Sequence, residues 1–214
     1  MLRRALMESF PAGGTLMVTS AAAKDGKTIT SVNLCASLAE RGESTLLLEL
    51  DVRQPAVDKV LHCTRTAPGF EEALAGSAKM SDVVQWLDPL SFHAALVHET
   101  PHDPCSLLSP ANLHRVLAWA RSNFKWTIVD APPALPAADV SEILASVDAS
   151  LMVVRARRTQ PELVTRTAAL LGNRLYGVVL NDATAESSPY YGYIAEYTAR
   201  QTRNQPAAVA STIS

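Results

Sequence analysis

Residues 16 to 41 read LMVTSAAAKDGKTITSVNLCASLAER, and this stretch decides the fold. The mostly apolar run 16–20 predicts a strand, and apolar residues at helical spacing predict a helix over 27–41 that ends before Gly42. Residues 21–28 match three of the four fixed positions of G-x-x-x-x-G-K-[ST], with Ala21 in place of the first glycine. Backbone N–H groups of such a loop, together with the helix dipole, favour a bound phosphate. The residues predicted to bind a nucleotide here are Ala22, Ala23, Lys24, Asp25, Gly26, Lys27, Thr28 and Ile29.

The rest of the chain repeats this alternation of short apolar runs and helical patterns, which is typical of βαβ units around a parallel sheet. Strands are predicted at 16–20, 45–50, 92–97, 126–130, 150–155 and 175–181. Helices are predicted at 27–41, 70–75, 81–87, 111–124, 140–144 and 161–171. The expected fold class is α/β, with a doubly wound, mostly parallel sheet, helices on both faces and a P-loop NTPase architecture. We expect a nucleotide-binding domain over 1–187 and a flexible tail over 188–214.

Composition excludes several classes of protein. The 214 residues are 48% hydrophobic and 19% charged, which suits a packed core and not a disordered chain. The net charge of −2 gives no indication of nucleic-acid binding. Three unclustered cysteines are typical of reduced thiols in a cytosolic protein. Because no apolar window approaches 18 residues, neither a membrane span nor a signal peptide is expected.

Two acidic motifs follow predicted strands. Leu46-Leu-Leu-Glu-Leu-Asp-Val-Arg places Glu49 and Asp51 after one strand, and Trp126-Thr-Ile-Val-Asp-Ala-Pro-Pro places Asp130 at the end of another. Ligands of open parallel sheets bind beyond the carboxyl ends of the strands, so these carboxylates are expected to meet the loop in one crevice. Mg²⁺ prefers one or two carboxylates together with phosphate oxygens and waters, and the Thr28 hydroxyl is a further expected ligand.

Tyrosine is unevenly distributed along the chain. Four of the five tyrosines fall within eight residues near the C-terminus, and they are Tyr190, Tyr191, Tyr193 and Tyr197. The polar sequence from about residue 198 predicts a disordered tail after them. One alternative for the cluster is a tyrosine-rich packing segment.

Together these motifs resemble the cytoplasmic domain of the bacterial tyrosine autokinases, the BY-kinases of capsule and exopolysaccharide synthesis, which are relatives of the MinD/ParA-type ATPases. The resemblance rests on G-K-T at 26–28, on the apolar run into Glu49-x-Asp51-x-Arg53, on D-x-P-P at 130–133 and on the tyrosine cluster. It covers nearly the whole chain, including Gly177-Val-Val-Leu-Asn181.

The resemblance implies transfer of the γ-phosphoryl group of ATP to tyrosine, mostly in trans between subunits, with ATP and Mg²⁺ required. By the same resemblance Asn181 lies near the adenine. The implied catalytic residues are Lys27, Glu49, Asp51 and Asp130. The implied metal ligands are Thr28, Asp51 and Asp130. The implied phosphorylation sites are the four clustered tyrosines. A tyrosine hydroxyl needs a carboxylate to accept its proton at neutral pH, and the sequence leaves Glu49 and Asp51 as alternatives.

The resemblance also implies partners and a location. Short chains of this family work with a separate membrane protein, the chain-length determinant or polysaccharide co-polymerase. We therefore expect a cytoplasmic protein held at the inner face of the membrane by that partner, with self-association and without nucleic acid.

The chain departs from the family pattern at several positions. Glu49 replaces the first Asp of D-x-D-x-R, while Lys24 and Ala23 replace the usual glycine and proline. If position 24 requires a positive φ, Lys24 is strained by about 1 kcal/mol; alternatively, it adds a positive charge to the phosphate site. The MinD/ParA signature lysine would fall at Ala22, and its absence favours the kinase branch. The E-x-x-R-x-x-R element of ring assembly is not evident in residues 1–10.

Three weaker patterns remain. His98-Glu-Thr-Pro-His102 matches H-E-x-x-H, but Pro101 argues against a shared helix face and hence against zinc. The basic run at 155–158 predicts either a solvated loop or a contact with nucleotide or a neighbouring subunit. The three tryptophans, Trp86, Trp119 and Trp126, are predicted to be core residues.

Two functions compete with the kinase. A MinD/ParA-type ATPase would hydrolyse ATP and dimerise without forming phosphotyrosine. A degenerate regulator would bind nucleotide weakly and act through its membrane partner.

Overall fold

Seven strands form one sheet in the computed structural model, which describes residues 2–63, 68–135 and 139–183. The strands are β1 (Gly14–Ser20), β2 (Thr45–Glu49), β3 (Val84–Leu87), β4 (Phe92–Ala95), β5 (Trp126–Asp130), β6 (Ala149–Arg155) and β7 (Leu175–Asn181). Their order across the sheet is β3-β4-β2-β5-β1-β6-β7, and every neighbouring pair except β3 and β4 is parallel. The predicted mostly parallel sheet is confirmed.

Nine α-helices connect and cover the strands of the described residues. They are α1 (Leu2–Ser9), α2 (Lys27–Ala39), α3 (Val57–Leu61), α4 (Phe70–Ala75), α5 (Met80–Val83), α6 (Pro104–Leu107), α7 (Pro110–Asn123), α8 (Asp139–Ser146) and α9 (Pro161–Leu171). All these elements belong to one compact unit that ends at Asn181. The four clustered tyrosines and the predicted tail lie outside the described residues.

Two apolar cores lie on opposite faces of the sheet. Met17 of β1 joins the core that contains α4, α7 and α8, whereas its neighbours Leu16 and Val18 join the core that contains α1 and α2. This alternation follows from the two-residue period of a strand. Because β1, β5 and β2 are paired in parallel, their carboxyl ends meet at one edge of the sheet, where the site is built.

The predicted helix over 81–87 is confirmed only for residues 81–83 and is wrong from residue 84 onward. The α5 helix ends at Val83, and Val84–Leu87 instead form β3, which pairs antiparallel with β4 at the edge of the sheet. Sheet pairing suits the β-branched and aromatic residues of this run, whereas sequence periodicity alone does not distinguish so short a strand from a helix. Trp86 is consequently 51% exposed, so its predicted place in the core is also wrong.

The other tryptophans are placed differently. Trp126 is fully buried, as predicted, and Trp119 is half-buried against the core. The predictions did not include α1, α3 or α6, which are helices of eight residues or fewer.

The argument against a zinc site is supported by the backbone between β4 and α6. Residues 96–103 are not helical, so His98 and His102 do not share a helix face. Across the described ranges, no group of three or more His, Cys, Asp or Glu side chains is arranged to hold a metal. Within the same ranges, no helix is long and apolar enough to cross a membrane.

Candidate functional site at the carboxyl edge of the sheet

The phosphate loop, residues 21–28, joins β1 to α2. Gly26 has φ +101, and a Cβ atom there would collide with the Asn181 amide, so this position requires glycine. Lys24 has φ +67, so position 24 does adopt the positive φ for which strain is predicted. A non-glycine residue in this left-handed region destabilises the fold by about 1 kcal/mol relative to glycine.

Asp25 fastens the phosphate loop to two other parts of the fold. Its buried carboxylate accepts hydrogen bonds from Ala22 N at 3.0 Å and from Thr159 Oγ1 at 2.9 Å. Its carbonyl oxygen accepts a hydrogen bond from Asn181 Nδ2 at 2.9 Å. Thr159 lies just beyond β6 and Asn181 ends β7, so the carboxyl ends of two strands hold the shape of the loop.

The basic run after β6 also reaches the phosphate loop. Arg155 NH1 donates to the carbonyl of Lys24 at 3.5 Å, and Arg155 N donates to Thr159 Oγ1 at 2.9 Å. Arg157 has a positive φ of 61° and turns the chain sharply after β6. Arg155 is therefore part of the framework around the loop, whereas Arg157 and Arg158 are exposed.

Asp130, at the end of β5, is bound by two hydroxyl groups of α2. Thr28 Oγ1 donates to one carboxylate oxygen at 2.8 Å, and Ser31 Oγ donates to the other at 3.1 Å. Burial raises the pKa of Asp130 to about 6, although the nearby Lys27 ammonium and both hydroxyl groups act in the opposite direction. A carboxylate and a threonine hydroxyl beside a phosphate loop are oxygen donors of the kind Mg²⁺ takes, so these residues fit that ion.

Lys27 and Asp51 form the charged centre of the site. Lys27 Nζ lies 2.7 Å from Asp51 Oδ2, and the two side chains are only 12% and 5% exposed. The backbone N–H groups of Leu50 and Asp51 both donate to the carbonyl of Asp130, at 2.8 and 3.0 Å. The ends of β2 and β5 are thereby fixed to each other, and both acidic motifs meet the loop as the sequence predicts.

Glu49 is built into the framework instead. Its Oε1 accepts hydrogen bonds from Ala56 N at 2.7 Å and Val57 N at 2.8 Å, and its Oε2 accepts one from Val97 N at 3.0 Å. The residue is fully buried and does not line the cavity beside Lys27. Burial raises the pKa of Glu49 to about 7, against the three backbone N–H groups, which favour the charged form.

A cavity of about 340 Å³ opens beside the charged centre. We call it the loop cavity, and its lining includes Lys24, Gly26, Lys27, Thr28, Ile29, Asp51, Gln54, Ala56, Val60 and Pro133. A separate cavity of about 440 Å³, lined by Asn181, Thr30 and Asn33 among others, lies against α1 and α2. Six of the predicted loop residues, Ala23, Lys24, Gly26, Lys27, Thr28 and Ile29, thus line the loop cavity with Asp51. Ala22, Asp25 and Asp130 do not line it, and Asn181 lines the other cavity.

Arg53 anchors the segment that follows β2. Its Nε and NH2 atoms lie 2.9 and 2.8 Å from Asp139 Oδ2, and NH2 donates to Cys105 Sγ at 3.3 Å. Asp139 is nearly fully buried, and the Arg53 guanidinium pairs with its carboxylate, so this buried charge is compensated.

Several site residues were missed by the sequence analysis. Ser31 lies one helical turn after Lys27, and this spacing could have indicated a shared face. Thr159, Gln54, Ala56 and Val60 carry no motif, so no signal in the sequence pointed to them.

Two bacterial tyrosine-protein kinases are similar to this chain in sequence. Tyrosine-protein kinase etk of Escherichia coli strain K12 is 29% identical over 195 residues, which are 90% of this chain but 26% of that protein. Tyrosine-protein kinase CpsD of Streptococcus agalactiae is 26% identical over 193 residues, covering 89% of this chain and 84% of that one. The chain thus spans about a quarter of the length of the etk protein and most of CpsD.

A solved structure has the same fold. The kinase domain of VpsO superposes with a TM-score of 0.78 at 28% identity, covering 86% of this chain and 92% of that domain. The P-loop NTPase architecture predicted from the sequence is therefore confirmed. Residues 16–206 match the family model described as the CobQ/CobB/MinD/ParA nucleotide binding domain. The chain, with its phosphate loop and two acidic motifs at one sheet edge, belongs to this CobQ/CobB/MinD/ParA family of nucleotide-binding domains.

Proposed function

We propose that the protein is an ATP-dependent protein-tyrosine kinase that phosphorylates its own C-terminal tyrosine cluster and regulates exopolysaccharide or capsule biosynthesis and export. The observation that carries the proposal is the 2.7 Å pair of Lys27 and Asp51 inside the loop cavity. Lys27 supplies a cation that can bind phosphate oxygens, and the adjacent Asp51 supplies a carboxylate that can accept a proton. The similar tyrosine-protein kinases etk and CpsD, which are 29% and 26% identical to this chain, support the same activity.

The chemical step uses these two side chains in different ways. As the tyrosine Oη attacks the γ-phosphorus, Asp51 takes the hydroxyl proton and a new O–P bond forms. The bond from the γ-phosphorus to the β,γ-bridging oxygen breaks, and ADP leaves with that oxygen. Lys27 neutralises negative charge on the β- and γ-phosphate oxygens while the bond breaks.

Asp51 is favoured over Glu49 as the proton acceptor. Asp51 lines the loop cavity, whereas both oxygens of Glu49 are occupied by backbone N–H groups outside it. A general base must come within hydrogen-bond reach of the proton that it removes. Glu49 therefore positions the site and takes no proton.

Mg²⁺ fits the oxygen donors around Asp130. Thr28, Asp130 and Asp51 would hold it together with phosphate oxygens. When bound, the ion neutralises charge on the phosphates of ATP. Asn181 is proposed to lie near the adenine, since it ends β7 beside the phosphate loop and lines the second cavity.

The proposed setting is the inner face of the cell membrane. There the protein would associate with itself and with a membrane chain-length determinant, the polysaccharide co-polymerase. Phosphate on Tyr190, Tyr191, Tyr193 and Tyr197 would add about −1.5 to −2 charges each, and mutual repulsion would loosen the assembly.

The test is incubation of the purified chain with Mg·ATP, alone and with its membrane partner, followed by mass-spectrometric mapping of phosphotyrosine. The clustered tyrosines are expected to become modified, and Lys27→Met is expected to abolish the modification. Lys125→Met is the matched control, because Lys125 does not line the loop cavity and forms its own ion pair with Glu43, with an N–O distance of 2.8 Å. ATP hydrolysis without phosphotyrosine under both conditions would favour a MinD/ParA-type ATPase, and neither activity would favour a nucleotide-binding regulator.

A further inference from the structure

The loop cavity has an apolar wall that nucleotide phosphates do not explain. Among the described residues, seven large apolar side chains are exposed, and two of them, Ile29 and Val60, line this cavity together with Lys27 and Asp51. Ile29 is 54% exposed in the first turn of α2, and Val60 is 36% exposed in α3. Exposed apolar side chains cost free energy in water, and their grouping at a polar site indicates an apolar ligand group.

The wall is completed by Ala56 and Pro133, which offer no charge and no side-chain hydrogen-bond donor. Phosphate groups are bound by cations and N–H groups, which the loop itself supplies. Asn181, the proposed neighbour of the adenine, lines the other cavity. The apolar wall is therefore available for the second substrate.

The framework holds this wall in place. Glu49 Oε1 receives the N–H groups of Ala56 and Val57 at 2.7 and 2.8 Å, which fixes the first turn of α3. Val60 lies one turn further along the same helix, and Val60 N donates to the carbonyl of Ala56 at 3.1 Å. A wall fixed in this way keeps its distance from the Asp51 carboxylate.

We infer that Ile29, Val60, Ala56 and Pro133 form the subsite for the aromatic ring of the acceptor tyrosine, with Asp51 at its polar end. A phenol has an apolar ring and a single hydroxyl group, and the wall and the carboxylate match these two parts. The ring lies against the wall, which orients the hydroxyl oxygen towards the phosphate loop. This inference rests on the proposed kinase function.

The test measures the kinetics of a synthetic acceptor peptide with the sequence of residues 186–200, ESSPYYGYIAEYTAR, and Mg·ATP. Ile29→Asn and Val60→Asn replace the apolar wall by polar groups of similar size. Each is expected to raise the KM for the peptide about tenfold, which corresponds to partial loss of the burial of one aliphatic side chain. The KM for ATP is expected to change less than twofold in Val60→Asn, because Val60 lies in α3 and outside the phosphate loop.

Leu170→Asn is the matched control, because Leu170 is also an exposed aliphatic residue on a helix, at 42%, and does not line the loop cavity. An unchanged peptide KM in both wall variants would overturn the subsite while leaving the kinase intact. If the wall variants lose as much affinity for ATP as for the peptide, the wall belongs to the nucleotide site, and the proposed tyrosine subsite is overturned. Absence of peptide phosphorylation by the unaltered chain would instead overturn the proposed function.

Discussion

The Lys27 ammonium and the Asp51 carboxylate are in contact at 2.7 Å, although the two residues come from different βα units. A lysine of a phosphate loop must turn towards phosphate oxygens when a nucleotide binds. In this structure Asp51 holds that lysine, so nucleotide binding has to exchange one partner of Lys27 for another. In the proposed mechanism, this exchange frees the Asp51 carboxylate to accept the tyrosine proton.

Asp51→Asn separates these two roles. The amide has nearly the same shape but neither pairs with Lys27 as an ion nor accepts the tyrosine proton. We expect the rate of tyrosine phosphorylation to fall about 10²- to 10⁴-fold, the range for loss of a general base. In the absence of Mg²⁺, nucleotide affinity is not expected to fall, because Lys27 no longer has to leave an anionic partner.

The measurements are the initial rate of phosphotyrosine formation and a titration with a fluorescent ATP analogue. Glu43→Asn is the control, since it removes the carboxylate of another lysine pair at 2.8 Å, that of Lys125. A variant with full phosphorylation activity would exclude Asp51 as the proton acceptor.

Lys24→Gly tests the strain in the phosphate loop. Lys24 has φ +67, and glycine adopts this conformation without a steric penalty. We expect the free energy of unfolding to rise by about 1 kcal/mol in urea denaturation. Lys24→Ala removes the same charge but keeps a Cβ atom, so the difference between the two variants is the backbone strain minus the entropy that glycine adds to the unfolded chain. A Lys24→Gly variant that is less stable than Lys24→Ala would contradict the prediction.

Much of the sheet could be predicted from residues that are close in sequence. The bounds predicted for β5, β7 and α9 agree with the structure. β5 and β7 are mostly apolar runs that end at a polar residue, and Pro161 suits the first turn of α9. β3 could not be predicted, since its four residues acquire strand geometry only by pairing with β4. A short run has no period of its own to distinguish strand from helix.

The candidate site divides in the same way. Gly26, Lys27 and Thr28 belong to a local motif, and the sequence identifies them directly. The bond from Thr159 to Asp25 joins residues 134 positions apart, and the bond from Val97 N to Glu49 spans 48 positions. Such contacts depend on which strands become neighbours in the sheet, and no residue pattern records that order.

Glu49→Asp tests whether the glutamate in place of the family's first Asp supports or impairs the kinase. The carboxylate of Glu49 meets three backbone N–H groups at 2.7 to 3.0 Å, and an aspartate, one methylene shorter, cannot reach all of them. We expect the free energy of unfolding to fall by about 2 kcal/mol, the scale of one hydrogen bond to a charged group. Phosphorylation is expected to slow, because α3 and the wall that it carries lose their anchor.

Urea denaturation and the phosphorylation rate are the two measurements. Glu43→Asp is the matched control, because Glu43 makes a partly exposed ion pair whose loss costs at most about 1 kcal/mol. A large gain in phosphorylation by Glu49→Asp would contradict the prediction and would identify the natural chain as an impaired kinase.

Asn181→Ala tests whether β7 shapes the phosphate loop. Asn181 Nδ2 donates to the carbonyl of Asp25 at 2.9 Å, next to Gly26 with its φ of +101. Without this hydrogen bond the loop loses a restraint on the conformation that presents its N–H groups. We expect the Kd for ATP and for ADP to rise about five- to tenfold, which corresponds to about 1 kcal/mol.

Calorimetric titration with both nucleotides measures the effect of Asn181→Ala. Asn123→Ala is the control, since Asn123 Nδ2 donates to the carbonyl of Trp119 at 2.8 Å at the exposed end of α7. Asn181→Asp is expected to weaken binding further, because a carboxylate beside the Asp25 carbonyl replaces a donor by an acceptor and adds negative charge next to the phosphates. If Asn181→Asp binds ATP as tightly as the natural chain, the loop keeps its conformation without β7, and the coupling proposed between them does not exist.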